Sequence, residues 1–403
     1  MKFNKWTLGL AAVGAVSLAS AARADEKMSQ VETALSNTTL SGYVDVAAAW
    51  RPGTDQNAHT GFPGNIPLYS FAKDDGFSLN AVDIALDKPM DESPWASGYH
   101  FEMMFGPDSE PSSNAGFTGA RVLGFGSIRQ AYVALRTPVG NSSIDWKVGV
   151  FDTVIGYESN SDGLNPNYTR SYGYTIEPTT HTGVVGTYKV NDMVSVTAGI
   201  ADSANADNNS FNGINNTSVY ESQKTYMGAI AITAPDSAGW LKGATLNAGV
   251  VDSIDSNNSF GQGSATSWYA GATIPTPVSA LKTGASFDYL DLHSGVGEAW
   301  NVALYASWQI NDKASFNLRA EMAQDDAGVL YGGFNIPGGG VRNTADEFTA
   351  TLQYNLWANV LSRLEFRWDH VEHGQAFGVV SSSSGTPGRS NDFLLALNLI
   401  YQF

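Results

Sequence analysis

The sequence predicts an all-β fold: a transmembrane antiparallel β-barrel of about 16 strands, with short periplasmic turns and long external loops. Three observations predict it. From Thr39 onward, stretches of roughly ten residues alternate apolar and polar side chains. The connections between them switch between tight and long, as in outer-membrane barrels. Aromatic residues collect at stretch ends (Trp50, Trp268, Trp300, Trp308, Trp357, Trp368, Tyr401 and Phe403), where a ring sits at a bilayer interface with one edge wet.

Composition removes the competing classes. The 403 residues are 15% charged and 43% hydrophobic, with 42 glycines and no cysteine. An aromatic content of 11% is too high for a disordered chain. The missing cysteine excludes a disulfide framework and a thiolate metal site. A net charge of -17 argues against a nucleic-acid partner. Beyond the N-terminus no apolar run is long enough for a helical span.

Residues 1–24 read as a signal peptide. Lys2 and Lys5 give the positive start, Leu8 to Ala22 the short apolar stretch, and Ala22-Arg23-Ala24 the small-x-small cleavage site, so the mature chain is expected to begin at Asp25 outside the cytoplasm. Residues 25–38 form a short periplasmic segment in which Met28, Val31 and Leu35 have helical spacing. The barrel is expected over 39–403. Its strands fall near 39–51, 77–88, 96–106, 128–138, 142–152, 180–190, 194–202, 225–235, 244–252, 265–275, 281–291, 299–310, 313–324, 346–357, 360–371 and 391–403.

Alternation is clearest late in the chain. Phe348, Ala350, Leu352, Tyr354 and Leu356 oppose Glu347, Thr349, Thr351, Gln353 and Asn355; Leu364, Phe366 and Trp368 oppose Arg363, Glu365, Arg367 and Asp369. A soluble sandwich would also alternate. Connection lengths decide against it. Asn191-Asp192, Asn311-Asp312 and Pro138 to Ser142 are tight, whereas 52–76, 152–178, 203–224 and 325–345 run to about twenty residues or more. Ten residues at roughly 3.3 Å each, tilted by about 40°, also span about 25 Å of bilayer.

The chain ends Leu399-Ile400-Tyr401-Gln402-Phe403. An aromatic end on an alternating strand resembles the signal read by the outer-membrane barrel assembly machinery, which makes Phe403 the contact with that partner. Two further stretches resemble the OmpL-like family of β-barrel porins. One is Leu40-Ser41-Gly42-Tyr43-Val44-Asp45. The other is Gly156-Tyr157-Glu158, Asn165-Pro166-Asn167, Thr169-Arg170-Ser171, Glu177-Pro178 and His181-Thr182-Gly183. The resemblance covers the mature chain in order. It implies an outer-membrane channel and names no solute.

With the apolar face toward lipid, inward charges become pore-lining candidates: Asp45, Arg51, Glu102, Arg136, Asp145, Lys147, Arg319, Glu321, Glu347, Arg363, Glu365, Arg367 and Asp369, with Asp83, Asp87 and Asp288 beside them. The alternating row Arg363, Glu365, Arg367, Asp369 has two readings, a transverse field across a wet pore or a self-neutralising brace. The connection from Asp152 to Pro178, 27 residues long, is the expected constriction loop. It carries Asp152, Glu158, Asp162, Arg170 and Glu177 among Tyr157, Tyr168, Tyr172 and Tyr174, more rings than a solvated tip favours.

Acidic loop residues such as Asp74, Asp75, Asp108, Glu110, Asp252, Asp255, Asp325 and Asp326 would draw cations to the mouth or bridge to lipopolysaccharide. Six histidines show no HExxH spacing, and no GxSxG, phosphate-binding or dinucleotide motif is present. No enzyme, metal or cofactor is therefore expected. The expected function is a passive outer-membrane porin for small hydrophilic solutes and ions, with weak cation preference and lipid, lipopolysaccharide, small solutes and its own copies as partners. The alternative is a barrel whose loops serve as an adhesin or partner-binding surface.

Overall fold

The structure, a computed structural model, describes residues 37–52, 75–109, 128–202, 224–254, 257–258, 261–262, 264–293, 297–326, 343–373, 377 and 389–403. The expected signal peptide, the helical spacing after it, and Asp74, Glu110 and Asp255 lie outside the described residues.

Sixteen antiparallel strands close into one barrel. They are β1 (Thr39–Trp50), β2 (Gly76–Lys88), β3 (Ser97–Phe105), β4 (Ile128–Val139), β5 (Ser142–Asp152), β6 (Thr180–Lys189), β7 (Val194–Ala201), β8 (Thr225–Thr233), β9 (Thr245–Ser253), β10 (Ala265–Pro275), β11 (Leu281–Leu292), β12 (Gly297–Gln309), β13 (Ala314–Asp325), β14 (Asn343–Trp357), β15 (Val360–Val371) and β16 (Asn391–Gln402). Each strand pairs with its chain neighbours. β1 and β16 close the ring, from Tyr43 opposite Gln402 to Trp50 opposite Leu395. Closure satisfies every strand edge, which hydrocarbon requires because it supplies no hydrogen-bond partner.

Period-two alternation sorts the side chains. On β15, Leu364 and Phe366 are 44% and 42% exposed on the outer face, while Arg363, Glu365, Arg367 and Asp369 are 0–1% exposed inside. Outer aromatics form two rows. Trp50, Trp268, Trp300 and Trp368 sit near the long-loop ends of their strands, and Trp308, Trp357 and Tyr401 near the short-turn ends.

The tight turns use residues suited to them. Gly140 (φ 59°) and Asn359 (φ 66°) occupy the left-handed region that two-residue hairpins demand and that glycine and asparagine tolerate. The length rhythm has two exceptions. On the long-loop side, only 293–296 join β11 to β12. On the short-turn side, 234–244 join β8 to β9 and contain 3-10 turns over Asp236–Leu241.

The expectation that polar residues cover the inner wall holds only in part. Phe151, Val185, Met227, Val251, Tyr269 and Tyr305 point inward and form a dry cluster with Val154, Ile155 and Tyr157 of the β5–β6 connection. An apolar inner wall is stable there because the chain itself covers it.

Candidate functional site

The 27 residues between Asp152 and Thr180 run through the inside of the barrel. Their first segment is anchored by burial. Tyr157 stacks on Tyr305 of β12, with ring centroids 4.3 Å apart and planes at 21°, and its hydroxyl lies 3.2 Å from Thr273 Oγ1 of β10. Burial pushes the Tyr157 phenol up to about 12, so it stays neutral. The wall leaves room for this ring. A Cβ on Gly284 would fall 1.8 Å from the Tyr157 hydroxyl.

The middle of the loop is held by charge. Glu365 of β15 accepts the backbone N–H groups of Tyr168 (2.5 Å) and Thr169 (2.9 Å). Glu321 of β13 accepts that of Tyr172 (3.0 Å). Arg319 donates to the Thr169 carbonyl and to Glu158 Oε1, both at 2.8 Å. Arg367 donates to the Arg170 carbonyl (2.6 Å) and pairs with Asp369 (2.8 Å). Arg363 donates to the carbonyls of Asp162 (2.9 Å) and Asn165 (2.5 Å). An irregular segment away from water must satisfy its backbone groups somehow, and charged partners make the strongest such bonds. A helical turn, α1 (Tyr172–Ile176), follows; Ser171 caps it by accepting the Tyr174 N–H at 3.0 Å. The Tyr172 hydroxyl donates to Asp369 (2.5 Å).

Within the loop, Arg170 donates to Asp162 at 2.6 Å. Burial works against the Arg170 charge, but the adjacent Asp162 carboxylate outweighs it and holds the guanidinium protonated above its ordinary range. Glu177 closes the loop. Burial, reinforced by nearby Asp288, raises its carboxyl well above the usual range. Gly156, with φ 115°, lets Glu177 approach, since a Cβ there would lie 2.6 Å from Glu177 Oε2.

This arrangement separates the charged residues singled out in the sequence into three groups. Arg319, Glu321, Glu347, Arg363, Glu365, Arg367 and Asp369 face inward as expected, but the loop covers them. The charges of the row on β15 are turned to each other and to loop backbone. Asp45 is likewise sealed, accepting from Asn80 (2.7 Å) and Asn398 (2.5 Å). Nearer the ends of the barrel, Arg51 takes Asp75 (3.6 Å), and Arg136 holds Asp145 through two bonds of 2.6 and 2.8 Å. Lys147 lies 4.8 Å from the Tyr132 ring centre. Glu102, Asp152, Glu158 and Glu177 form the third group. They border a cavity of about 400 Å³ between the loop and β1–β4, with Asp83, His100, Arg129, Tyr43 and Tyr174.

Arg129 and His100 escaped the sequence reading. Counting in twos from Gln130 sends Arg129 to lipid. The pairing of β3 with β4 slips between Glu102 and Met103, however, so that Gln130 faces Glu102 and Ile128 faces Met103. Arg129 is the extra residue of this bulge and is turned inward. It donates to Glu102 (2.6 Å) and Asp152 (2.7 Å). His100 sits between Asp87 (3.0 Å) and Glu102 (3.2 Å). Its place on the inward face of β3 was the available signal. Among the described residues, no group of three or more His, Cys, Asp or Glu could hold a metal ion.

The model of the family described as putative beta-barrel porin-2, OmpL-like, matches residues 37–403. The chain belongs to this family. Solved structures share the fold of this OmpL-like barrel at low identity. Pseudomonas putida OprB at high pH aligns with a TM-score of 0.57 and 13% identity, over 91% of this chain and 94% of that one. Salmonella typhi OmpF in complex with daunomycin gives 0.56 and 14%, over 91% and 97%. An anion-selective porin from Comamonas acidovorans gives 0.55 and 12%, over 91% and 99%. No curated protein matches the OmpL-like chain in sequence. Family and fold together make it a porin-type barrel of the outer membrane.

Proposed function

We propose that the protein is a passive channel for small hydrophilic solutes and ions with a weak preference for cations, and that its route runs beside the loop between Asp152 and Thr180, along β1–β4. One observation carries this reading. The loop is fastened across the β10–β16 half of the lumen, and the cavity left on the other side is bordered by the carboxyl groups of Asp83, Glu102, Asp152 and Glu158, with the raised carboxyl of Glu177 beside them, against the basic groups of Arg129 and His100. A narrow passage with low-dielectric walls focuses such a field, and over a few ångströms salt screens it little. The preference is weak because Arg129 pairs with Glu102 and Asp152 and His100 sits between Asp87 and Glu102.

Reconstitution in a planar bilayer under a tenfold KCl gradient tests the reading. The expected result is discrete channel steps with a reversal potential on the potassium side of zero. A reversal potential on the chloride side, or a folded barrel that gives no steps, would overturn it.

A further inference from the structure

We propose that Glu177 and Asp288 form a proton-operated latch: one shared proton holds the returning end of the loop against the wall, and its loss frees 171–177 and widens the passage along β1–β4. The inference rests on the channel reading above and adds a control to the same passage.

The two carboxyl groups are hydrogen-bonded to each other. Carboxylate oxygens only accept, so this bond exists only while one of the two groups carries a proton. No N–H or O–H of another described residue serves Asp288 Oδ1, and Oδ2 has only Ser286 Oγ at 3.4 Å. Glu177 is 6% exposed and Asp288 2%, and two carboxylates this deep and this close are costly to ionise together. The surroundings bring no relief. The further charge acting on both groups is Glu158. Tyr269 of β10 and Asn301 of β12, which also lie against the pair, carry no positive charge. Arg319 is taken up by Glu158, Glu321 and Glu347.

The pair is joined to the part that would move. A Cβ on Gly173 would fall 2.4 Å from Asp288 Oδ2, so the backbone of α1 is seated directly on the wall carboxyl. The same turn carries Tyr174, which borders the cavity, as does Glu177 itself, whereas Asp288 does not. The proton therefore leaves through Glu177 into the water of the passage.

The sign follows from the chemistry. At low pH the pair keeps its proton and the passage stays narrow. As pH rises through the value of Glu177, which burial and Asp288 hold above the ordinary range, two carboxylates come to face each other with Glu158 beside them. The ratio of latched to released loop then falls by about tenfold per pH unit. The released passage is wider and carries one more negative charge, so conductance and potassium preference rise together.

The test uses the full-length protein in planar bilayers, recorded from about pH 5, just above the ordinary carboxyl range, to about pH 9. The native channel should show a small and a large conductance step, and their occupancy ratio should shift toward the large one by about tenfold per pH unit. Glu177→Gln and Asp288→Asn each replace the shared proton by an amide N–H, which keeps the bond and cannot titrate. Either variant should stay on the small step throughout. His100 and the hydrogen-bonded Asp83 and Glu102 also titrate beside the cavity, and both variants retain them. A native channel with one step size at every pH, or a shift that persists in a folded variant, overturns the latch. If neither variant folds, deuterium exchange of 171–177 in the native protein, corrected for intrinsic rates, should rise over the same pH interval as the large step. A large step without that rise overturns the latch. Steps without pH dependence leave the channel reading standing and remove only the latch, while a folded barrel with no steps removes both.

Discussion

Replacing Glu365 by alanine should release the loop from the wall without opening the barrel. The carboxylate accepts three hydrogen bonds, from the backbone of Tyr168 and Thr169 and from Thr351 Oγ1 at 2.7 Å. Bonds to a charged group contribute about 1.5–3 kcal/mol each. They do not add independently here, because Arg363 and Arg367 flank the same site and would keep uncompensated charge. A local loss of about 3–5 kcal/mol follows, close to the cost of breaking other buried ion pairs. Backbone pairing of Glu365 with Thr351 and Ala396 does not involve the side chain, so the strands stay joined. Deuterium exchange of the loop around Tyr168 and Thr169 should accelerate by about 10²–10⁴-fold, since each 1.4 kcal/mol is roughly a factor of ten. Single-channel conductance should rise. Glu365→Gln, which keeps acceptor oxygen but loses charge, should fall between the two. A folded Glu365→Ala barrel with loop exchange unchanged would show that these contacts do not hold the loop.

Three further outcomes follow from the same geometry. Leu352 is 43% exposed on the outer face while Thr351 is 0% exposed beneath the loop; Leu352→Arg should cost about 2–4 kcal/mol of barrel stability in lipid-facing unfolding titrations. Thr351→Arg should instead dislodge Asn167, which donates to Thr351 at 2.7 Å, and should raise conductance with little change in barrel stability. Gly284→Val should expel Tyr157 from its stack on Tyr305 and lower the loop's exchange protection by about one order of magnitude, consistent with the ~0.5–1.5 kcal/mol of an aromatic pair. Glu177 has a folded value raised above its ordinary 4.5. Its contribution to the packed loop is therefore full below about 4.5 and is lost as pH rises through the folded value. Exchange of 171–177, corrected for intrinsic rates, should increase with pH across that window, and Glu177→Gln should flatten the rise.

The strands were legible because two constraints act on the same residues. The outer face must be apolar to meet lipid and successive side chains point to opposite faces, so β14 and β15 carry their register openly in Phe348, Leu352, Leu364 and Phe366. The inward packing of the tyrosines between Asp152 and Thr180 was legible for a related reason, since rings of that number need a wall. The environment of the inward charges was not. Alternation places Arg363 and Glu365 inside the barrel but says nothing about what covers them there. That depends on contacts such as Tyr168 to Glu365, which join residues 197 positions apart. Arg170 illustrates the same limit. Its charge suggested a group facing the pore, and the fold turns it onto Asp162. Arg129 was hidden by a bulge, which breaks the count of two that the rest of the reading relied on.

The central claim is that the loop partitions the lumen and leaves the passage along β1–β4. Single-channel recording of the native protein and of a variant lacking Ser159 to Thr169 tests it most directly, with heat-modifiable migration in SDS confirming that both barrels fold. The account predicts a larger conductance step and weaker cation selectivity in the shortened protein, because Glu158 loses Arg319 and the carboxylate-lined channel merges with the open lumen. Equal conductance and equal selectivity in the two folded barrels would contradict it.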